Sequence, residues 1–223
     1  MQWRRLYITV EGQTEKSFAD QILVPHLAQY QIEVRPRVVL TNRKLGKRGG
    51  ILDFEKISGD LRRLLKGDAQ PESRFTTMID FYALPSQFSG WTEANKLLTA
   101  AQRVSFLENA LHMELGDQRF YPYIQLHEFE ALLFCDLGAL QRRLPGSEAG
   151  IKALQSEVRH LTPEQINEGA STAPSKRIIR HLPVYERSKV RVGAAAAAAI
   201  GLPVLKAKCP HFAEWIARLE QLS

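Results

Sequence analysis

The sequence predicts an α/β fold with a mostly parallel, four-stranded sheet and helices on both of its faces. Four runs rich in β-branched and aromatic residues alternate with helical patterns, and they lie at residues 6–10, 33–40, 75–80 and 120–126. Parallel strands joined in this way are normally covered by helices on both sides. Beyond the fourth run only helical patterns and loops remain. We therefore expect a core at residues 1–140 and a helical C-terminal extension at residues 141–223, packed on that core.

Composition narrows the class of protein. The 223 residues include 30 Lys and Arg against 24 Asp and Glu, a net charge of +6 that mildly favours a polyanionic partner. The longest apolar run, at residues 194–200, is far shorter than the roughly 20 residues of a membrane span, and residues 1–5 do not resemble a signal peptide. Two cysteines, Cys135 and Cys209, are too few for a disulfide framework or a four-thiolate zinc site. We expect a cytoplasmic protein without a membrane partner.

The helical segments follow from apolar residues spaced three and four positions apart. After the first strand, Thr14 is suited to cap a helix that continues to Leu27, and Pro25 predicts a kink or a break in it. The glycine-rich and basic residues 42–50 must form a loop. Further helices are predicted at residues 52–66, 92–115, 148–161, 175–181, 189–200 and 212–222.

Acidic side chains follow three of the predicted strands at their carboxyl ends. They are Glu11 and Glu15 after the first strand, Asp80 at the end of the third, and Glu128 and Glu130 after the fourth. Ligands of open α/β sheets bind outside the carboxyl ends of the strands, and carboxylate oxygens suit hard cations. The pattern predicts a site for Mg²⁺ or Mn²⁺. Any one of these acids alone is explained as a helix-start residue that the helix dipole favours.

Two other features have a functional and a structural interpretation. The basic loop suits contacts with a nucleic-acid backbone or is simply solvated, and its cations are Arg43, Lys44, Lys47 and Arg48. His127 is a candidate ligand or general base, although a buried histidine is the favoured interpretation. The loop lacks the Walker spacing and its Ser or Thr, which argues against an ATPase.

Longer motifs resemble known families. The segment VEGQTE at 10–15, followed by Asp80 on a later strand, resembles the Toprim fold as used by overcoming-lysogenization-defect (OLD) nucleases. Five further motifs are similar to those of a bacterial family catalogued as domain of unknown function 4276: MIDFYALP at 78–85, QLHEFEALLF at 125–134, INEG at 166–169, APSKR at 173–177 and CPHF at 209–212. The resemblance runs nearly end to end. It implies a Toprim-like fold and a gene beside an ATPase of the ATP-binding-cassette or AAA type, often in a phage-defence neighbourhood.

The Toprim resemblance assigns roles to three acidic residues. It implies that Glu11 is the first acidic residue of the site and that Glu15 is a supporting metal ligand. Asp80 matches the first acid of an Asp-x-Asp motif. Tyr82 stands where the second aspartate would be, and a tyrosine hydroxyl is a poor ligand for Mg²⁺.

Two questions about the site follow from this departure. Either the site lacks a second metal ion, or Glu128 or Glu130 from the neighbouring strand takes the place of the missing second aspartate. OLD-type sites also use a late lysine near the metals, and Lys176 or Lys189 suits that role, with Lys176 preferred.

The expected function is a Mg²⁺- or Mn²⁺-dependent phosphodiesterase that cleaves DNA or RNA, as the effector of an ATPase-linked anti-phage defence system. Glu11, Asp80 and Glu128 would bind the metal, a lysine would stabilise the transition state, and the basic loop would hold the flanking backbone. The alternative is a non-catalytic, Toprim-like sensor or scaffold subunit of an ATPase complex, which the missing second aspartate favours.

Overall fold

A computed structural model describes residues 3–39, 53–167, 169 and 171–222, and every structural statement below concerns these residues. The strands are β1 (Arg4–Val10), β2 (Ile32–Val38), β3 (Ser73–Asp80), β4 (Phe120–Tyr121) and β5 (Ile124–Gln125). Their order is β2-β1-β3-β4, β5 also pairs with β3, and every pairing is parallel. The predicted fold class is confirmed, and β1 lies beside β3 as a Toprim-like order requires.

The fourth predicted strand is divided in two at Pro122, because proline has no N–H to donate to the ladder. The side chain of Thr77 bridges the break. Its Oγ1 donates to the carbonyl oxygen of Tyr123 at 2.9 Å and accepts from the Tyr123 N–H at 2.9 Å. Both short strands therefore stay aligned with β3.

The strand register decides where the acidic residues lie. Val10 pairs with Met78, so Glu11 follows β1 at the level where β3 ends. Asp80 pairs with Gln125, so the residues after β5 emerge at the same edge of the sheet. The predicted meeting of Glu11 and Asp80 at this edge is confirmed.

The first helical segment differs from its prediction. It consists of α1 (Gln13–Phe18), a π-helical turn (Ala19–Leu23) and α2 (Val24–Ala28). The expected cap at Thr14 was wrong, since Gly12 is the N-cap residue and caps without a side chain. The helical segment does not end at Pro25, which lies in the first turn of α2; the irregularity is the widened turn directly before it, which accommodates a residue that cannot donate to the helix.

One face of the sheet is covered by α3 (Phe54–Gly67), α4 (Trp91–Ala94) and α5 (Ala100–Leu115). The single helix predicted at residues 92–115 was wrong. Thr99 and Gln102 form a reciprocal capping box that starts a new helix at Ala100. Phe75 and Ile79 of β3 pack on this side, in one cluster with the buried residues of α3 and α5.

The C-terminal third is helical, as predicted. Its α-helices are α6 (Leu137–Gln141), α7 (Glu148–Val158), α8 (Pro174–His181), α9 (Lys189–Ile200), α10 (Leu202–Lys208) and α11 (Pro210–Glu220); α6 and α10 were not predicted. Short 3-10 helices lie at Phe81–Ala83, Phe129–Cys135, Pro163–Gln165 and Pro183–Tyr185. By itself none of the described helices is long and apolar enough to cross a bilayer, and α9 with α10 reaches that length only across an 86° bend.

The C-terminal helices share a hydrophobic core with the other face of the sheet. Leu6, Ile8 and Val10 of β1 belong to one buried cluster with residues of α9, α10 and α11. Trp215 of α11 stacks on Tyr123 with ring centroids 4.2 Å apart, and its indole N–H donates to Thr76 Oγ1 at 3.0 Å. The helices beyond residue 140 thus pack on the strands, while a domain boundary at that residue stays a prediction.

Candidate functional site

An open cleft of about 1020 Å³ lies at the carboxyl edge of the strands. Its walls come from the start of α1, the segment after β3, the segment after β5, and the first residues of α8 and α9. All seven acidic and lysine residues predicted for the site line it: Glu11, Glu15, Asp80, Glu128, Glu130, Lys176 and Lys189. The four cations of the basic loop, Arg43, Lys44, Lys47 and Arg48, lie outside the described residues.

Glu11 and Asp80 are in direct contact. The Asp80 backbone N–H donates to Glu11 Oε2 at 3.3 Å, which holds the Glu11 carboxylate over the end of β3. Asp80 Oδ1 is buried and has no hydrogen-bond partner among the described residues. A buried carboxylate oxygen without a partner is costly, so this atom is suited to a ligand that the chain itself does not provide.

Glu15 is buried in the first turn of α1. A Cβ at Gly12 would lie 3.1 Å from Glu15 Oε2, which is closer than most such contacts. The glycine before α1 therefore leaves the room that this carboxylate occupies beside the strand end.

Glu128 enters the cleft after a sharp turn at His127, a buried residue with a φ of 65°. This left-handed conformation is rare for residues other than glycine and redirects the chain after β5. The Glu128 carboxylate accepts hydrogen bonds from the backbone N–H and the hydroxyl of Ser175, the latter at 3.1 Å. Since Ser175 lies in the first turn of α8, Glu128 also caps that helix.

Glu130 lies between two donors. Its Oε1 accepts from the Tyr185 hydroxyl at 3.2 Å and is 3.0 Å from Lys189 Nζ. Gly193 lies one turn after Lys189 on α9. It allows the Tyr185 hydroxyl to lie close to this helix, because a Cβ at Gly193 would be 2.9 Å from the hydroxyl oxygen. The contacts fix the lysine near the carboxylates.

Burial and mutual repulsion raise the pKa values of the carboxylates in the cleft. Burial raises the pKa of Glu11 to about 7, with added repulsion from Glu15, and burial also raises the pKa of Glu15 to about 7. The pKa values of Asp80 and Glu128 are raised as well, first by burial and then by their acidic neighbours. Near neutral pH the cleft thus retains protons that isolated carboxyl groups would have lost.

The lysine that pairs with this cluster is Lys189. Burial lowers its pKa, but the charges of Glu130, Glu128 and Asp80 outweigh that effect, so its pKa is raised. Lys176 also lines the cleft and is exposed to solvent. The contacts therefore favour Lys189 for a role beside the carboxylates, in contrast to the preference from sequence.

The cleft offers carboxylate oxygens as donors to a divalent cation. No group of three or more His, Cys, Asp or Glu side chains in the described ranges is arranged so that it could hold a metal ion. The donor chemistry nevertheless fits, because Asp80 Oδ1 has no partner and lies with carboxylates whose repulsion a cation would relieve. Side chains in the cleft would have to move together around such an ion.

Two residues of this site, Ser175 and Tyr185, are not predicted from the sequence. Ser175 lies within the APSKR motif at 173–177, which assigns it no role. Tyr185 follows Pro183 in a single 3-10 turn and carries no recognisable signal. His127 is buried, as the favoured interpretation holds, and its Nε2 lies 3.0 Å from the Glu164 carbonyl oxygen.

Comparisons with known proteins give one family and one structure. The C-terminal region of the OLD protein from Xanthomonas campestris pv. campestris is 18% identical, with 97% of this chain and 98% of that chain covered, at a TM-score of 0.40. A likeness at this level says nothing about the chemistry of the cleft. No curated protein matches the chain significantly. The family described as "Domain of unknown function (DUF4276)" matches residues 10–220, and the chain therefore belongs to the DUF4276 family.

Proposed function

We propose that this protein is a Mg²⁺- or Mn²⁺-dependent phosphodiesterase that cleaves nucleic acid. The observation that carries the proposal is the gathering of five carboxylates and Lys189 in one cleft, where a buried oxygen of Asp80 has no partner in the described structure. Such a cluster is unfavourable without a cation, and functional sites are where such costs are retained.

The acidic residues and Lys189 would have different roles in this reaction. Glu11, Glu15 and Asp80 would hold the cation, which when bound would activate water and neutralise charge on the scissile phosphate. Lys189 would place a fixed positive charge beside the phosphate oxygens. Glu130 pairs with this lysine, and the Tyr185 hydroxyl donates to Glu130 and so holds that carboxylate in position.

The contacts of the remaining acids support a single ion. Both oxygens of Glu128 accept hydrogen bonds from Ser175, and Glu130 is paired with Lys189. These carboxylates keep further lone pairs, but binding a second ion would compete with the contacts already made. We therefore assign Glu128 and Glu130 supporting roles in place of the second aspartate.

One alternative is favoured by two observations. Glu128 and Glu130 already have partners in the protein, and no three acidic, histidine or cysteine side chains of the described residues are arranged to hold a metal ion. In that alternative the protein is a non-catalytic sensor or scaffold subunit of an ATPase complex. In either case we expect a cytoplasmic protein that works with an AAA- or ABC-type ATPase encoded nearby, in anti-phage defence.

A cleavage assay tests the choice. The protein is incubated with mixed DNA and RNA substrates, with Mg²⁺, with Mn²⁺ or with a chelator, alone and together with the ATPase encoded beside it. We expect cleavage that requires the divalent ion. Products that form equally well in the chelator would overturn the metal dependence, and the absence of products in every condition would favour the scaffold.

The basic loop provides a separate prediction about binding. Replacing its four cations with glutamine should weaken nucleic-acid binding and flatten its salt dependence, because fewer counterions are released; the changes are at Arg43, Lys44, Lys47 and Arg48. The slope of log Kd against log salt should fall by up to roughly 3, as each phosphate contact contributes about 0.7 to 0.9.

A matched control removes the same number of charges from the exposed surface of α6, α7 and their ends, away from the cleft: Arg142, Arg143, Lys152 and Arg159. This control should keep most of the parent's slope. If the two variants show the same slope as the parent, the loop is a solvated surface without a role in binding.

A further inference from the structure

Two exposed apolar side chains line the cleft. Tyr82 is 51% exposed and Val190 is 48% exposed, and they come from different walls, the segment after β3 and the first turn of α9. Each is next to a polar group of the site. Tyr82 lies two residues after Asp80, and Val190 directly follows Lys189.

The exposure of Tyr82 is not the result of a loose backbone. Tyr82 lies in the 3-10 helix Phe81–Ala83, and its N–H donates to the His127 carbonyl oxygen at 2.8 Å. Phe81 before it is buried and has its ring centroid 6.1 Å from that of Trp91. A fixed backbone thus presents a large aromatic ring to solvent within reach of the carboxylate cluster.

Burying an exposed ring of this kind against a ligand is favourable, and a flat ring prefers a flat partner. Nucleobases offer such a partner, and stacking on an aromatic side chain tolerates any base. In a duplex, the faces of each base are already covered by its neighbours. Away from the duplex ends, only an unpaired nucleotide has a base face free to stack on Tyr82.

From this arrangement we infer that the cleft accepts an unpaired nucleotide of a single strand, with its base stacked on Tyr82 and its phosphate beside Lys189. The inference rests on the proposed nuclease function and narrows its substrate class. Lys176 on α8 lines the cleft and is exposed, which suits contact with a flanking phosphate. The tyrosine, a poor ligand for a hard cation, thereby serves in recognition of the substrate.

Binding without cleavage tests the inference. Two fluorescently labelled probes are titrated by anisotropy in Ca²⁺, each in the DNA or RNA form that the parent binds more tightly. One is a single-stranded oligonucleotide, and the other is a hairpin closed at both ends by non-nucleotide linkers, so that it has no unpaired base and no free end. Tyr82→Ala should weaken single-strand binding by roughly 10- to 100-fold, which corresponds to the loss of one stacked base. The Kd of this variant for the hairpin should stay within about twofold of the parent's, since phosphate contacts dominate duplex binding.

Two variants act as controls. Tyr82→Phe keeps the ring and should bind the single strand within about twofold of the parent. Tyr30→Ala removes another exposed tyrosine, which lies after α2 and not at the cleft, and should have no effect. In a cleavage assay with the single strand, Tyr82→Ala should raise KM more than it lowers kcat.

The inference fails if Tyr82→Ala binds the single strand as tightly as the parent does, or if it loses single strand and hairpin to the same extent. In both cases the parent still binds nucleic acid, so the proposed function stands. A parent protein that binds neither probe and cleaves neither overturns the proposed function together with the inference.

Discussion

Glu11→Gln should abolish metal-dependent cleavage while leaving the fold intact. Glutamine keeps the size of the side chain and an oxygen that can accept from the Asp80 N–H, but it removes the charge that a hard cation requires. Because a catalytic cation contributes several kcal/mol to the transition state, cleavage should fall by at least roughly a hundredfold. The variant should also lose the thermal stabilisation by Mg²⁺ or Mn²⁺, which for the parent is about 2.7 kcal/mol at a hundred times Kd.

Glu33→Gln is the matched control for this change. Glu33 is an exposed glutamate near the start of β2, at the opposite end of the sheet from the cleft, and it pairs with Arg35. Its variant should keep both cleavage and the response to metal. If Glu11→Gln is less stable but responds to metal like the parent, Glu11 is structural. Unchanged activity and unchanged metal response together would remove Glu11 from the site and favour the scaffold.

The metal-free protein should lose stability as the pH rises from about 4.5 to about 7. In the folded chain Glu11 and Glu15 have pKa values of about 7, against 4.5 for an ordinary glutamate. Within this window the folded state holds more protons than the unfolded state, so unfolding becomes easier as the pH increases. One pKa unit corresponds to about 1.4 kcal/mol, which gives roughly 3 kcal/mol for Glu11 as an upper value, because its side chain is only partly buried.

Chemical denaturation in a chelator at pH 5 and pH 8 measures this effect. Because other groups also contribute to the pH dependence of stability, the informative quantity is the difference in unfolding free energy between Glu11→Gln and the parent. The difference should be small at pH 5 and should favour the variant by up to roughly 3 kcal/mol at pH 8. An equal difference at both pH values would show that the pKa of Glu11 is ordinary. Adding Mg²⁺ at pH 8 should restore the stability of the parent but not raise that of the variant.

Local patterns in the sequence were sufficient to predict the sheet and the position of the acidic residues. Strands are short and their β-branched residues are contiguous, so β1 and β3 are recognisable without knowledge of their neighbours. Given parallel pairing, the carboxyl ends of these strands must share an edge. The proximity of Glu11 and Asp80 follows from those two facts alone, although 69 positions separate them in the chain.

Breaks within helices were harder to predict, because apolar spacing continues across them. The pattern at residues 92–115 is helical throughout, yet the capping box at Thr99 and Gln102 ends one helix and begins another. Likewise α1 begins at the turn after Gly12 and not at Thr14, since the strand end and the buried Glu15 determine where the helix can start. Such boundaries depend on contacts that compete with local propensity.

By itself, the sequence determined the α/β class, the strands and the acids at their ends, since these depend on neighbours along the chain. Only the tertiary structure decided how the acids are held and which lysine accompanies them. Glu128 is hydrogen-bonded to Ser175, 47 positions away in the chain, and Glu130 is hydrogen-bonded to Tyr185, 55 positions away. These pairings arise from the docking of α8 and α9 against the 3-10 helix Phe129–Cys135, which is driven by the burial of apolar side chains. The same docking places Lys189, and not Lys176, against the carboxylates.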